Sequence, residues 1–512
     1  MKRYIKYLLL PCMALFTACS DFLEEDPQSF LSPDSFYKTI DDINAGLSAV
    51  YRAPQDRYSN NWAGENWFEW ATDISEITDK NNWAHHNEIA RLPSTFNASS
   101  SIPHDFWKYT YNHIKDANNL LKALPNVEVD ETKKKQIEGQ LKALRAFLYF
   151  DAVRVYNGTP LLLEASTDLE YFKTVRRATP EEMYDAIIKD LEYAITVLPE
   201  RWSDAVDQGR ITNGAAAAML ARVYLAMAGY PLNKVEYYEK ARQLLYDFVE
   251  GKKYGSYSLF EEYADAFDED KAPGNEGIWM VNFTKGSFGQ GSDFHTNFAP
   301  LELYYAAGLG LTYGGGWSNG VPTERFYNSY DKINDKRFKY TYWTSTADIP
   351  EEYNDIVPKD ANGEPEHISF YRPHVKKFRE KTPNDNSLRS GLDHYVIRYA
   401  DVLLMYAEVL NELSSQDCYK YINIVRARAG LDPLVSMSKD KFKECIMLER
   451  AWELCFEGDR KFDLLRWGVY STRTPEWNPQ VKGNIQVGKH EFWPIPRAER
   501  DINENLEQNP KW

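Results

Sequence analysis

The chain has 512 residues, of which 43% are hydrophobic and 27% charged, and its formal net charge is −16. This composition is typical of a globular protein with one large domain or two to three ordinary ones. The acidic balance argues against a nucleic-acid binder, because such a chain would repel phosphate groups.

The first nineteen residues are typical of an export signal. Basic residues stand before an apolar run at 7–16, and two small residues precede Cys19. The run is too short to span a membrane, so residues 1–18 are predicted to be a signal peptide. Because small residues before a cysteine resemble a bacterial lipobox, Cys19 is predicted to carry a lipid anchor. Ordinary secretion with an unmodified Cys19 is the alternative.

Residues 19–34 are acidic and contain proline, and they are predicted to form a tether between the lipid and the fold. A helix is predicted to begin near residue 33. Apolar residues spaced three and four apart then predict a series of helices. These predicted helices lie at about 36–50, 106–121, 137–155, 183–198, 212–228, 237–249, 396–413, 416–429 and 438–457.

The helices occur in pairs with small residues at close-packing positions, a pattern that resembles tetratricopeptide-repeat hairpins. Between them, segments 54–104 and 251–390 lose the helical period, and the second contains a strand-like piece at 277–283. Long irregular segments in a compact protein are usually functional loops. The sequence therefore predicts a mainly α fold, in which a helical-hairpin scaffold carries loop and short-strand insertions that form a ligand face.

Three cysteines, Cys418, Cys445 and Cys455, remain after the signal peptide and Cys19. An odd number in an exported protein does not indicate a disulfide framework. Two of them could pair, but their helical settings favour buried thiols.

Five segments, taken in order, resemble the SusD/RagB family of outer-membrane nutrient-binding lipoproteins. They are 19–23 with Pro27, 145–162, 209–229, 396–413 with 424–431, and 449–468 followed by 492–510. The resemblance covers essentially the whole mature chain. One local departure is the turn at 157–159, where Asn-Gly-Thr stands in place of the more usual Gly-Asp-Val type.

The resemblance implies one SusD-like domain over residues 35–512. Its parts would be a helical-repeat part at about 35–250, a loop-rich insertion at about 251–390, and a helical part at about 391–512. Family members are binders and not enzymes. They sit on the cell surface, cap a SusC-like TonB-dependent transporter, and deliver glycans or sometimes peptides to it. The resemblance implies no cofactor and membrane contact through the lipid anchor alone.

A glycan site needs exposed aromatic rings, because the apolar faces of sugars stack on Trp and Tyr. The resemblance places ligand residues in the two irregular regions without aligning individual positions. The predicted ligand residues are Asn61, Trp62, Trp67, Trp83, Tyr304, Tyr305, Tyr313, Trp317 and Asn319. Trp317 is the leading candidate, since its glycine neighbours leave the ring uncovered. Trp67 lies three residues before Trp70, and both could instead belong to the core.

Catalytic patterns are few. Residues 316–320 spell G-x-S-x-G, but a nucleophile elbow needs a strand before the serine and a helix after it. Three glycines precede Trp317 and Val321-Pro322 follows the motif, so a nucleophilic Ser318 is not predicted. A lipid-anchored glycoside hydrolase with paired carboxylates, or a peptide-binding transporter lid, remains as an alternative function.

Other polar residues are predicted to have structural roles. A set of charged residues in the helical segments is expected to form structural ion pairs: Arg145, Arg154, Glu408, Glu449, Glu453, Glu457 and Arg460. His85 and His86 are adjacent, so their side chains are expected to diverge instead of chelating a metal. Calcium could bind through the many Asp and Asn residues of the loops, but the sequence contains no D-x-[DN]-x-[DN]-G calcium loop, and no metal site is predicted.

Overall fold

The computed structural model describes residues 36–59, 66–79, 83–285, 290–302, 316–348, 359–364, 368–378 and 390–512. Its helices up to residue 250 are α1 Ile40–Val50, α2 Arg52–Tyr58, α3 Asn66–Glu69, α4 Ala84–Arg91, α5 Ser101–Ala123, α6 Glu131–Tyr156, α7 Leu169–Thr174, α8 Pro180–Val197, α9 Asn213–Ala228 and α10 Tyr237–Val249. The later helices are α11 Phe294–Phe298, α12 Glu324–Tyr327, α13 Lys336–Thr341, α14 Tyr399–Glu412, α15 Cys418–Ala429, α16 Lys439–Leu454, α17 Arg460–Arg466, α18 Tyr470–Trp477 and α19 Arg497–Ile502.

Six short strands form three antiparallel pairs in the described residues. The strands are β1 Ser75–Glu76, β2 Gly277–Val281, β3 Val321–Pro322, β4 Tyr342–Ser345, β5 Ser369–Val375 and β6 His394–Arg398. β1 pairs with β3, β2 with β6, and β4 with β5. The registers place Ser75 opposite Pro322 and Trp343 opposite His374.

The long helices pack in the order of the chain, which confirms the mainly helical scaffold of hairpins. Helix α6 packs on α5 and α8, α9 on α8 and α10, and α14 on α10, α15 and α16. Side-chain caps start several of these helices: Asp130 caps α6, Thr179 forms a capping box with Glu182 at α8, and Thr212 caps α9. Gly139 allows the close approach of α8, since a Cβ there would lie 2.5 Å from Cγ2 of Val197.

All seven charged residues that the sequence predicts as structural are ion-paired. Arg145 pairs with Asp190, Arg154 with Asp151 and Asp459, Glu408 with Arg466, Glu449 with Arg337 and Arg426, Glu453 with Arg337, Arg398 and Arg428, Glu457 with Lys377 and Arg398, and Arg460 with Asp73. Most of these groups are buried, and an unpaired charge there would be costly.

The helix start predicted near residue 33 lies outside the described residues, and Phe36 at their edge is helical. Helix α1 begins at Ile40, where the Thr39 side chain accepts a hydrogen bond from Asp42 N–H and caps the helix. One predicted helix start is wrong. Residues 396–398 belong to strand β6, so the helix predicted from 396 begins at Tyr399. An apolar run fits a buried strand as well as a helix, and the pairing with the distant strand β2 decides between them.

The three remaining cysteines are free thiols, with Cys418 and Cys455 buried and Cys445 half-buried. Among the helices of the described ranges, none combines the length and the apolarity that a membrane crossing requires. The three-part division of residues 35–512 stays a prediction.

Candidate ligand-binding face

Residues 316–320, called the Trp317 loop here, lie against the end of helix α11. Their backbone N–H groups donate to carbonyl oxygens that the end of a short helix leaves without intrahelical partners. The pairs are Gly316 to Pro300 (3.2 Å), Trp317 to Thr296 (2.7 Å), Ser318 to Ala299 (3.0 Å) and Asn319 to Asn297 (2.7 Å). This ladder fixes the backbone on both sides of Trp317.

Two glycines permit this close packing. A Cβ on Gly316 would lie 2.1 Å from the carbonyl oxygen of Thr296, and one on Gly320 would lie 2.7 Å from Cε1 of Phe298. The Trp317 side chain between them is 38% exposed. The glycines therefore allow the loop to lie flat on the fold while the indole ring reaches solvent.

Asn319 faces inward. Its side chain is buried, and Nδ2 donates a 2.6 Å hydrogen bond to Oδ1 of Asn297. This placement favours a structural role for Asn319 over the predicted ligand contact.

The second exposed tryptophan, Trp83, is 63% exposed and stands directly before helix α4. Its ring is stacked on His86 with a centroid distance of 5.9 Å, and His86 in turn packs 5.1 Å from the buried ring of Trp70. The expectation that the adjacent histidines diverge is wrong, since the rings of His85 and His86 lie 4.4 Å apart in an edge contact. Trp83 thus projects from a row of packed rings.

Burial lowers the pKa of His86 to about 4, and the charge of His85 acts in the same direction. Burial also lowers the pKa of His85. Both rings are therefore neutral at pH 7. No cluster of metal-ligating side chains is found in the part of the chain that the structure describes.

The two tryptophan-bearing segments are fastened to each other. The Thr78 hydroxyl donates a 2.7 Å hydrogen bond to the carbonyl oxygen of Ser318, and strand β1 pairs with β3 beside it. Trp70 also lies close to the loop, because a Cβ on Gly320 would be 3.1 Å from its Nε1. The structure therefore brings together the two regions from which the sequence predicts ligand contacts.

The sequence reasoning missed Tyr371 on strand β5, which is 65% exposed. Its N–H donates to Oε1 of Glu302 (2.9 Å), next to Leu301, whose N–H donates to Oγ of Ser318 (2.7 Å). The following residue, Arg372, forms a 2.5 Å ion pair with Glu76 of strand β1. Successive side chains of a strand point to opposite faces, so Phe370 and Tyr371 would lie on different faces of a strand. That alternation was the signal available in the sequence.

Several predicted residues are outside the described part of the chain. These are Cys19, Asn61, Trp62, Tyr304, Tyr305 and Tyr313, together with the side chain of Trp67. Their roles stay predictions.

Two family models match this chain. The model described as "SusD family" matches residues 275–512, and the model described as "Starch-binding associating with outer membrane" matches residues 21–225. The chain belongs to the SusD/RagB family.

Relatives from this family match along nearly the whole chain. SusD-like protein P2 from Formosa agariphila is 26% identical over 527 residues, which cover 99% of both chains. A solved structure entitled "Laminarin binding SusD-like protein" is 26% identical, covers 93% of this chain and 100% of its own, and has a TM-score of 0.77. A SusD homolog from Bacteroides thetaiotaomicron has the same TM-score at 23% identity, with 94% and 98% coverage, and shows the fold alone.

In this SusD/RagB protein the serine of the G-x-S-x-G pattern and the acids Glu453 and Glu457 have structural roles. Ser318 is 1% exposed, and strand β3 follows it where a nucleophile elbow requires a helix. Burial disfavours charge on Glu453, but three arginines outweigh that effect and hold its pKa far below the usual value. A glycosidase needs one carboxyl group with a raised pKa as general acid. Glu453 and its neighbour Glu457, whose pKa is also lowered, do not fit that role.

Proposed function

We propose that this protein is a cell-surface lipoprotein that captures oligosaccharides by aromatic stacking and delivers them to a SusC-like TonB-dependent transporter. Trp83 and Trp317 would form the stacking surface, and Cys19 would carry the lipid that holds the protein on the outer membrane. The observation that carries the proposal is the hydrogen bond from Thr78 to Ser318, which joins the two regions that carry these exposed rings.

The geometry suits a sugar chain for a physical reason. An exposed indole offers a flat apolar surface with a polar edge, and such rings contribute large contact areas. The Trp317 loop is held by backbone hydrogen bonds, and the carbonyl oxygen of Trp83 accepts the N–H of Asn87, so little conformational entropy is lost at these two residues when a ligand binds. The laminarin-binding relative and the starch-binding description of the matching family support a glycan as the ligand.

Affinity gel electrophoresis with laminarin, starch and other glycans tests the proposal. We expect one or more glycans to retard the protein, and the double variant Trp83→Ala/Trp317→Ala to migrate as in a gel without glycan. The matched control is Tyr246→Ala, because Tyr246 is 47% exposed on helix α10 of the scaffold. Full retardation of the double variant would contradict the proposal.

Two further outcomes identify the alternatives. Release of reducing sugar from a retained glycan would support the glycoside hydrolase. Failure of every glycan to retard the unchanged protein would support the peptide-binding lid.

Anchoring and partnership need their own measurement. We expect Cys19→Ala to abolish lipid labelling and to release the protein from the membrane fraction. A TonB-dependent transporter should co-purify with the unchanged protein from detergent extracts, and its absence would contradict the delivery step.

A further inference from the structure

A cavity of about 360 Å³ lies on the helical scaffold, and none of its described lining residues belongs to the candidate ligand-binding face. Helix α5, the segment 160–175 and helix α19 with the residues after it form its three walls. Sites for small molecules in proteins usually measure about 300–1,000 Å³. The cavity is therefore large enough to hold a small ligand on a separate part of the molecule.

The segment 160–175 is held in place by side chains from both other walls. Nδ2 of Asn118 on α5 donates a hydrogen bond to the carbonyl oxygen of Leu162 (2.9 Å). Nδ2 of Asn503, just after α19, donates to the carbonyl oxygen of Phe172 (3.0 Å). Because these bonds fix the three walls relative to one another, a ligand would bind without first ordering the segment.

Half-buried aromatic rings line the cavity. Tyr111 and Phe172 are both half-buried, and the ring of Tyr111 lies 4.9 Å from that of the buried Trp107. The hydroxyl of Tyr111 already donates to the carbonyl oxygen of Pro160 (2.7 Å), so its ring is the part left for a ligand. Flat apolar surfaces of this kind suit a ligand that has an apolar face.

Charged groups of both signs line the cavity. Lys108 and Lys115 are two turns apart on α5, and Glu164 and Glu499 lie on the other two walls. The two positive and two negative groups of the described lining cancel formally. A strongly charged ligand of either sign would therefore meet a like charge as well as an opposite one, and a neutral ligand meets no such conflict.

Glu499 argues against a wholly apolar ligand. Burial raises the pKa of this carboxyl group, although the charges of His104 and Lys108 act against that shift. An apolar molecule would remove the remaining water from Glu499 without replacing its hydrogen bonds, which costs free energy. A ligand hydroxyl avoids that cost, because it donates to a carboxylate and also accepts from an ammonium group.

We propose that this cavity is a second saccharide site, which takes one or two neutral sugar rings. Tyr111 and Phe172 contact the apolar face of the sugar, while Lys108 and Glu499 bind its hydroxyl groups. A short saccharide or the end of a chain fits the cavity, whereas a polymer lies along the candidate ligand-binding face. The ligand class rests on the proposed function, but the site does not, so the two can fail separately.

Calorimetric titration of the full-length double variant Trp83→Ala/Trp317→Ala with laminaribiose, maltose and cellobiose tests the site. We expect at least one of these disaccharides to bind. Adding Ala165→Trp, which places an indole in the cavity, should abolish this binding. The matched control is Thr167→Trp, an exposed position of the same segment outside the lining, and it should not. Failure of all three disaccharides to bind, or binding that survives Ala165→Trp, would overturn the inference.

The lysines and the ligand class have their own test in the same background. Lys108→Ala/Lys115→Ala should weaken disaccharide binding at least about tenfold, because hydrogen bonds from charged groups are lost. The control Lys133→Ala/Lys135→Ala, at the exposed start of α6, should leave the affinity unchanged. Equal affinities of the two variants would overturn the role of the lysines. Tighter binding of dodecanoate or glucuronate than of every disaccharide would overturn the neutral-sugar class.

Affinity gel electrophoresis separates this inference from the proposed function. A gel containing a polymer offers few chain ends, so Ala165→Trp alone should be retarded as strongly as the unchanged protein. Loss of that retardation would overturn the assignment of the polymer to the other face. Retardation of the unchanged protein without disaccharide binding by the double variant would leave the proposed function standing and overturn the second site alone.

Discussion

The Oγ atom of Ser318 lies 2.8 Å from Nε2 of His374, and this hydrogen bond fastens the Trp317 loop to strand β5. The same Oγ accepts the N–H of Leu301, while the carbonyl oxygen of Ser318 accepts the hydroxyl of Thr78. Ser318 also has a φ of 51°, a left-handed conformation that is uncommon outside glycine. The serine of the G-x-S-x-G pattern is thus a buried connection among three segments.

Replacing Ser318 with alanine should destabilise the protein and weaken glycan binding together. The hydrogen bond to the buried His374 would be lost, and the N–H of Leu301 would lose its acceptor in a partly buried setting, changes that together cost about 1–3 kcal/mol. Denaturant unfolding measures the loss, and affinity electrophoresis measures binding. The exposed Ser99→Ala should change neither quantity. A variant that keeps full stability but loses an ester-hydrolysing activity would instead make Ser318 a nucleophile.

Gly316→Ala should displace the Trp317 loop. The new Cβ would lie 2.1 Å from the Thr296 carbonyl oxygen and 2.8 Å from Cβ of Ala299, so the backbone must move. We expect a loss of about 1–3 kcal/mol in unfolding free energy and reduced retention by glycan. Gly483→Ala is the control, because nothing lies within 4 Å of its Cβ position and only backbone strain is added. Equal glycan retention by the two variants would contradict the role assigned to Gly316.

The sequence predicted the scaffold well because the apolar period of each long helix is local information. It failed at residues 396–398, where the partner strand at Gly277–Val281 is far away in the chain. The site shows the same division. Its two regions were expected from the family resemblance and from the loss of helical period, whereas the inward turn of Asn319 depends on Asn297, and the exposure of Tyr371 depends on the pairing of β5 with β4.

Because of Glu69, the unfolding free energy should fall as the pH rises. Burial raises the pKa of Glu69 to about 8, although the N–H groups of Gly458 and Arg460 favour the carboxylate. Because the folded state binds the proton more tightly, the contribution of Glu69 is full below its usual pKa of 4.5 and is lost as pH rises through about 8. Each pH unit in that window can change the unfolding free energy by up to about 1.4 kcal/mol.

Thermal unfolding of Glu69→Gln between pH 5 and pH 8.5 checks this expectation. The glutamine can still accept the Gly458 N–H but cannot ionise, so the stability advantage of the unchanged protein should shrink as pH rises. The melting temperature of the exposed-site variant Glu170→Gln should change with pH in the same way as that of the unchanged protein. Parallel curves for Glu69→Gln as well would show that Glu69 has an ordinary pKa.

Tyr371 should add to the ligand surface of Trp83 and Trp317. It is the most exposed aromatic residue on strand β5, and Glu302 holds its backbone beside the segment that leads to the Trp317 loop. If sugar units extend from Trp317 along β5, Tyr371→Ala should weaken binding of long oligosaccharides and leave short ones unaffected.

Because the phenol ring of Tyr371 is solvent-exposed, its removal should leave the unfolding midpoint unchanged, unlike Ser318→Ala. Calorimetric titration with a length series of one retained glycan measures the effect, with Tyr246→Ala as the control. Equal loss of affinity at every length would instead place Tyr371 beside the first sugar, and unchanged affinity at every length would remove it from the surface.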